Sequence, residues 1–153
     1  MIENVVLTLS YPLRLMATWL AVGVLKTFGV PVSAERTLIA LDSGAAQIAV
    51  TDACSGVEQL GGLVAVGLLF AWLMQRGWGW RILHWATILP CVVLANAVRL
   101  IATVLLLRTY GDVILGDAWH ISLGWAQTVL AVVLLWLFGK AIAYVARKNV
   151  EEG

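Results

Sequence analysis

Four long runs of apolar residues divide the chain, separated by short stretches in which charged residues, glycine and proline collect. A helix needs about 20 residues to cross the hydrocarbon core of a bilayer, and each run approaches or exceeds that length. The pattern predicts an all-α integral membrane protein with about four transmembrane helices, at Leu7 to Phe28, Ser55 to Met74, Ile82 to Leu107 and His120 to Val145.

The first run is the least apolar of the four, because it contains Pro12, Arg14 and Lys26. Such a helix could cross the membrane with its long cationic side chains reaching the interface, or it could lie in the interface itself. We favour the span.

The segment between the first and second runs has a different period. Residues 37–41 and 47–51 are short apolar stretches on either side of Asp42, Ser43 and Gly44, a sequence typical of a turn. We therefore expect a small β-hairpin here. Because an unpaired strand edge cannot face lipid, the hairpin must lie outside the hydrocarbon or against protein.

The positions of the cationic residues predict the orientation. Arg76 and Arg81 lie between the second and third runs, and Arg147 and Lys148 follow the fourth. Positive charge is retained on the cytoplasmic side, so both chain termini are predicted to be cytoplasmic and the hairpin extracytoplasmic. This describes a multi-pass protein of the cell membrane.

The composition of the chain limits the classes of function that it can have. The chain has 153 residues, of which 61% are hydrophobic and 12% charged, and its formal net charge is +1. This charge gives no basic field for binding nucleic acid, and lipid is the expected surrounding. No internal repeat divides the chain, so residues 1–153 are expected to form a single transmembrane domain.

Cys54 opens the second run and is followed by Ser55 and Gly56, where a loop turns into a helix. Free backbone N–H groups and the positive end of the helix dipole favour a thiolate at such a position. Cys54 is therefore a candidate nucleophile, whereas Cys91, inside the third run, is expected to be a buried packing residue.

Arg99 lies deep in the third run, where a guanidinium stays charged and needs partners. Asn96, three residues earlier on the same helical face, could orient it. Glu58, one turn after Cys54, is another candidate partner. A purely structural ion pair between Arg99 and Glu58 is the alternative.

His120 opens the fourth run and can exchange protons near neutral pH, as a general base or a general acid. Asp117 could orient it from the preceding turn. We expect His84 to be an interfacial residue at the other side of the membrane. Two histidines at opposite faces give no sign of a metal site, and the sequence gives none of a cofactor.

Small residues recur along the second run, with Gly61 four residues before Ala65 and Gly67 four residues before Ala71. Such spacing permits close contact between helices. The contact could be packing within this protein, or a groove that admits the transmembrane helix of a substrate.

The same residues resemble the signature of the exosortase/archaeosortase family of membrane-embedded sorting enzymes. The resemblance rests on the motifs 53–56 (Ala-Cys-Ser-Gly), 96–99 (Asn-Ala-Val-Arg) and His120 with Gly124. It extends through other elements that fall in the family's order along nearly the whole chain. These elements are Pro12-Leu13-Arg14, the turn at 29–32, the hairpin and Ile88-Leu89-Pro90.

The resemblance implies that Cys54 is the nucleophile, that Arg99 stabilises the thiolate or the oxyanion, and that His120 is the acid and base. The implied substrates are exported proteins with a C-terminal sorting signal, which comprises a recognition motif, a transmembrane helix and a basic tail. Cys54 would form a thioester with the new carboxyl end, and an amine would release it. Many family members have about eight spans, so a homo-oligomer or a partner subunit is expected to supply the missing helices.

Two other functions fit the same residues. A hydrolytic intramembrane cysteine protease would let water resolve the thioester. A noncatalytic membrane chaperone or assembly subunit would bind transmembrane tails through the small-residue face of the second run.

Overall fold

The computed structural model describes residues 2–41, 46–49 and 57–151, and it describes side chains at 11–41, 61–111, 113–114 and 116–149. The described part is mainly helical. In chain order the long helices are α1 (Ile2–Thr27), α2 (Val57–Met74), α3 (Trp78–Ala86), α4 (Ile88–Tyr110) and α5 (Asp117–Glu151), with a 3-10 turn at Gly111–Leu115. All four predicted apolar runs are therefore confirmed as helical.

The structure confirms the helices but not the predicted number of membrane spans. Within the described residues, two helical segments are long and apolar enough to cross a bilayer, Trp78–Tyr110 and Asp117–Asn149, and the apolar segment Gly61–Met74 is shorter. The count of four spans thus remains a prediction.

The predicted third span is interrupted at Thr87, which separates α3 from α4. Pro90 has no N–H, so it cannot donate to the carbonyl of Ala86 four residues earlier. The backbone N–H and the hydroxyl of Thr87 instead donate to the carbonyl of His84, at 3.0 and 2.6 Å. The helix direction is kept because Thr87 itself has helical dihedral angles.

The predicted hairpin is part of a three-stranded antiparallel sheet, so the expectation of two strands was incomplete. β2 (Leu38–Leu41) pairs with β3 (Ala46–Ala49), and β1 (Val32–Glu35) pairs with the other edge of β2. Arg36 turns the chain between β1 and β2 with a φ of 56°. Val32 and Ile39 are buried against α1 and α4, so the sheet rests on protein as expected.

Helix α4 is the centre of the bundle and contributes to two separate apolar clusters. One face packs against α1 and the sheet, where Ala17 and Ala21 of α1 are fully buried. The other face packs against α2 and α5, with Cys91 fully buried as expected. Small residues at these contacts let the helix backbones approach closely. Helix α4 is therefore held on both sides, and Arg99 is carried on it.

Gly67 belongs to this packing. A Cβ atom at Gly67 would lie 2.7 Å from Cδ1 of Ile88, so only glycine fits between α2 and α4 there. At Gly61 and Gly62, by contrast, no heavy atom of the described residues lies within 4 Å of such a Cβ. The small-residue face of α2 is thus closed at Gly67, where Ile88 of α4 packs against it, and open at Gly61 and Gly62.

Candidate functional site

Arg99 lies on the face of α4 that looks toward α2 and α5, and its side chain is 5% exposed. Its Nη1 donates to Oε1 of Gln127 at 3.0 Å. Its Nη2 lies 3.4 Å from both Nε2 and the backbone carbonyl oxygen of His120. The structure thus joins two of the three residues that the sequence selected as catalytic candidates.

His120 lies in the first turn of α5 and is exposed. Its backbone N–H donates to the carbonyl of Gly116, the residue before the helix, at 3.1 Å. An arginine can only donate, so Nε2 accepts from Arg99 only when it carries no proton itself. His120 thus lies beside a permanent cation.

Gln127 is a site residue that sequence reasoning missed. It is 3% exposed, and its amide oxygen accepts the shortest described hydrogen bond of Arg99. The sequence did contain an indication that Gln127 belongs to the site. It is a polar residue within an apolar run, and it lies two helical turns after His120 on the same face. Burying an amide is costly unless it is hydrogen-bonded, so its position predicted a partner inside the bundle.

A cavity of about 510 Å³ opens beside these groups, between α2, α4 and α5. Arg99, His120 and Thr128 are the charged or polar side chains of its described lining, and most of the other lining residues are apolar. The described lining residues are Gly62, Leu63, Val66, Arg99, His120, Ile121, Gly124, Trp125, Thr128 and Val132. Apolar walls around a few convergent polar groups are typical of a binding site.

Two predicted supporting residues are not hydrogen-bonded to the candidates within the described part of the chain. Asn96 is 1% exposed, and neither amide atom has a hydrogen-bond partner there. The described hydrogen bonds of Arg99 go to Gln127 and His120. Asp117 begins α5 and is exposed, with no described hydrogen bond to His120. Their supporting roles remain predictions.

Cys54, Ser55 and Gly56 lie outside the described residues, as does the side chain of Glu58. Cys54 precedes the start of α2 at Val57 by three residues in the sequence. Gly62 of that helix lines the cavity. The cavity is thus bounded by all three helices to which the sequence assigned candidates.

A second polar cluster corrects the expectation for His84. This histidine was expected at the interface, but it is fully buried between α3 and α5. Its Nδ1 lies 3.4 Å from Nε2 of Gln75, which also donates to the carbonyl of Gly139 at 2.8 Å. Gly139 leaves just enough room, because a Cβ there would lie 2.5 Å from Cε1 of His84.

Comparison with known proteins agrees with the resemblance seen in the sequence. The model of the transmembrane exosortase family matches residues 1–137. Comparisons with curated proteins and with solved structures found no match. Since the matched region covers most of the 153 residues, the chain belongs to the transmembrane exosortase family.

Proposed function

We propose that this protein is a membrane-embedded cysteine protease and transpeptidase that removes the C-terminal sorting signal of exported proteins and transfers the new C-terminus to an amine. The observation that carries the proposal is the contact between Arg99 and His120 at the edge of an apolar cavity. Family membership supports the same class of activity. Cys54, which precedes the first residue of α2 by three positions in the sequence, is the proposed nucleophile.

The proposed first half-reaction uses all three residues. His120 takes the thiol proton of Cys54, and the sulfur adds to the carbonyl carbon of the scissile peptide bond. The resulting oxyanion is stabilised by the guanidinium of Arg99. As the C–N bond breaks, His120 gives the proton to the departing amine, and the exported protein is held as a thioester.

The second half-reaction reverses the proton transfers. An acceptor amine adds to the thioester carbonyl and gives its proton to His120. The C–S bond then breaks, a new amide forms, and the proton returns to the sulfur of Cys54. A single acid and base on α5 is sufficient for both halves.

The charge of Arg99 favours this cycle. Its guanidinium is a permanent cation and lies 3.4 Å from the ring of His120. The Cys54 thiolate and later the oxyanion are the anions of the proposed cycle, and a fixed cation beside them stabilises both.

The first test measures the reactivity of Cys54 with N-ethylmaleimide near neutral pH, followed by intact mass spectrometry. A Cys91→Ala background leaves Cys54 as the remaining thiol of the chain. We expect labelling to slow at least tenfold in Arg99→Gln and in His120→Ala. Arg108→Gln, an exposed arginine near the end of the same helix, is the matched control and should label as fast as the parent. Equal rates in all variants would contradict an activated thiolate.

The second test follows processing of an exported reporter that carries a recognition motif, a transmembrane helix and a basic tail. Cys54→Ala and Cys54→Ser should abolish processing while the protein remains folded. Mass spectrometry of the new C-terminus separates the two enzymatic outcomes, because an added amine indicates transpeptidation and a free carboxylate indicates hydrolysis.

The noncatalytic alternative is supported by the open part of α2, where Gly61 and Gly62 leave space for another helix. A chaperone or assembly subunit would retain full function in Cys54→Ala and lose it in Gly61→Leu. Gly67 is unsuitable for this test, because a larger side chain there would collide with Ile88 and disturb the fold. The two variants together distinguish binding from catalysis.

We also propose the orientation that the cationic residues indicate, with the cavity at the extracytoplasmic face and both termini in the cytoplasm. The support is the position of Arg76, Arg81, Arg147 and Lys148 at the end of the bundle away from His120. Cysteine accessibility from either side of sealed vesicles would test it.

A further inference from the structure

A second cavity, of about 440 Å³, lies between the end of α2 and the last part of α5. Two arginines line it, Arg76 just after α2 and Arg147 in α5, and both are exposed. No carboxylate is present among its described lining residues. The cavity therefore concentrates positive charge that the described residues around it do not balance.

The walls of this cavity combine these cations with apolar and amphipathic side chains. Met74, Ala143 and Ala146 form the apolar part, and the half-buried indole of Trp80 adds an aromatic surface. Tryptophan is enriched where hydrocarbon meets headgroups, because one end of its side chain is apolar and the other can donate a hydrogen bond. The lining thus suits a ligand with an anionic head and an apolar body.

The position of the cavity relative to the bilayer fits the same ligand. His120 and Arg147 are separated by 27 residues of α5, or roughly 40 Å at 1.5 Å per residue. A bilayer including its headgroup regions is about 40–45 Å thick. If His120 lies at one membrane surface, Arg147 lies at headgroup depth on the other.

Hydrogen bonds hold the two arginine-bearing elements together. Gln75, next to Arg76, is 2% exposed and donates to the carbonyl of Gly139 in α5 at 2.8 Å. The neighbouring Arg81 makes contacts with other residues of the protein. Its Nε donates to the carbonyl of Gln75 at 3.3 Å. Its guanidinium carbon lies 5.6 Å from the ring centres of both Trp72 and Trp78. The side chain of Arg81 thus contacts the protein itself, whereas the side chains of Arg76 and Arg147 line the cavity.

We propose that this cavity binds the phosphate group of an anionic phospholipid, with the guanidinium groups of Arg76 and Arg147 as ligands. A guanidinium matches phosphate oxygens with paired N–H donors, and basic pockets between helices at a membrane surface bind acidic headgroups. Inorganic phosphate offers the same oxygen atoms without acyl chains. The lipid would join the ends of α2 and α5 at the surface opposite His120.

Native mass spectrometry of the full chain in detergent tests the proposal, with phosphatidylglycerol as the anionic probe and phosphatidylcholine as the zwitterionic one. We expect the parent protein to bind phosphatidylglycerol at least tenfold more tightly than phosphatidylcholine. The double variant Arg76→Gln with Arg147→Gln should lose this preference. The matched control, Arg36→Gln with Arg108→Gln, removes the same charge from exposed positions outside the cavity and should keep it.

A parallel titration with inorganic phosphate separates the two sources of the phosphate group. Failure of 10 mM phosphate to displace phosphatidylglycerol supports a lipid site. Displacement that depends on Arg76 and Arg147 supports the same phosphate site with a soluble occupant. Equal binding of phosphatidylglycerol by the parent and by the Arg76 and Arg147 double variant overturns the proposal, and circular dichroism checks that the variants stay helical.

Discussion

Two pairs of histidine and glutamine occur in this bundle, and they differ in what surrounds them. His84 contacts Gln75 directly, with 3.4 Å between the two nitrogen atoms. His120 and Gln127 lie on one helix and are connected through Arg99, which contacts both. In the first pair the histidine ring is enclosed beside Gly139, whereas in the second pair the histidine borders a cavity of about 510 Å³.

The difference shows how one pair of residue types can support packing at one end of a protein and chemistry at the other. Buried His84 and Gln75 link α3, α5 and the end of α2, and the ring of His84 is not part of the described lining of either cavity. His120 is exposed, touches a guanidinium and lines the larger cavity, so a bound molecule can reach its ring. Access and a neighbouring charge, rather than residue type, distinguish the candidate site.

The largest expected effect comes from replacing the two histidines in turn. We expect His120→Ala to reduce reporter processing by roughly 10²- to 10⁴-fold, the usual contribution of a general acid and base, with little change in melting temperature. His84→Ala should do the reverse, because it leaves a void in the packed cluster and should destabilise the protein by about 2–4 kcal/mol. Processing per folded molecule should persist in that variant.

The measurements are reporter cleavage and thermal unfolding in nanodiscs, performed on both variants. Full processing by His120→Ala would contradict the assignment of the second pair to chemistry. An unchanged melting temperature of His84→Ala would contradict the assignment of the first pair to packing.

An intermediate effect on stability is expected from Gly139→Ala. The added methyl group would lie 2.5 Å from Cε1 of His84, so we expect a loss of about 1–3 kcal/mol from overpacking. Gly23→Ala is the matched control, because no heavy atom lies within 4 Å of a Cβ at Gly23 in α1. Alanine favours helix by up to about 1 kcal/mol over glycine, so the control should be neutral or stabilising.

Thermal unfolding of the two alanine variants side by side gives the answer. If Gly139→Ala melts at the same temperature as Gly23→Ala, then the cluster around His84 is looser than the geometry indicates.

The smallest effect is expected from Gln127→Leu, which removes the amide oxygen 3.0 Å from Nη1 of Arg99. We expect processing to fall about tenfold, because the guanidinium loses a hydrogen bond that helps to position it. Gln127→Glu keeps an acceptor and should restore most of the activity. Ser122→Ala is the control, since its hydroxyl donates to the carbonyl of Ala118 on its own helix and lies outside the described lining of the cavity, so the rate should change less than twofold.

Reporter cleavage rates of these three variants rank the contribution of Gln127. A rate for Gln127→Leu equal to that of Ser122→Ala would mean that Arg99 is positioned by other contacts.

Much of the local structure could be predicted from the sequence, because it depends on near neighbours along the chain. The apolar runs predicted α1, α2, α4 and α5, and the turn sequence at 42–44 predicted the pairing of β2 with β3. The third strand was missed because Val32 to Glu35 has only four residues, too few for its alternation of apolar and polar residues to stand out. The break at Thr87 follows from Pro90, a local signal that the long apolar run concealed.

The candidate site was only partly predictable. Arg99 and His120 stood out as costly polar groups within or beside apolar runs, and the structure brings them together. Gln127 shared the helical face of His120 but was overlooked, because a neutral amide carries a weaker signal than a charge. His84 was assigned to the wrong environment, because a histidine near the end of a span can face either the interface or a neighbouring helix.

The sequence by itself determined that this is a helical membrane protein of the exosortase family, since long apolar runs and short motifs are properties of neighbouring residues. The tertiary structure alone decided that α4 is the central helix, that Arg99 contacts Gln127 and His120, and that His84 is sealed by Gly139. These features depend on which helix faces pack together. Packing is set by the shapes of residues far apart in the chain, and no local pattern records it.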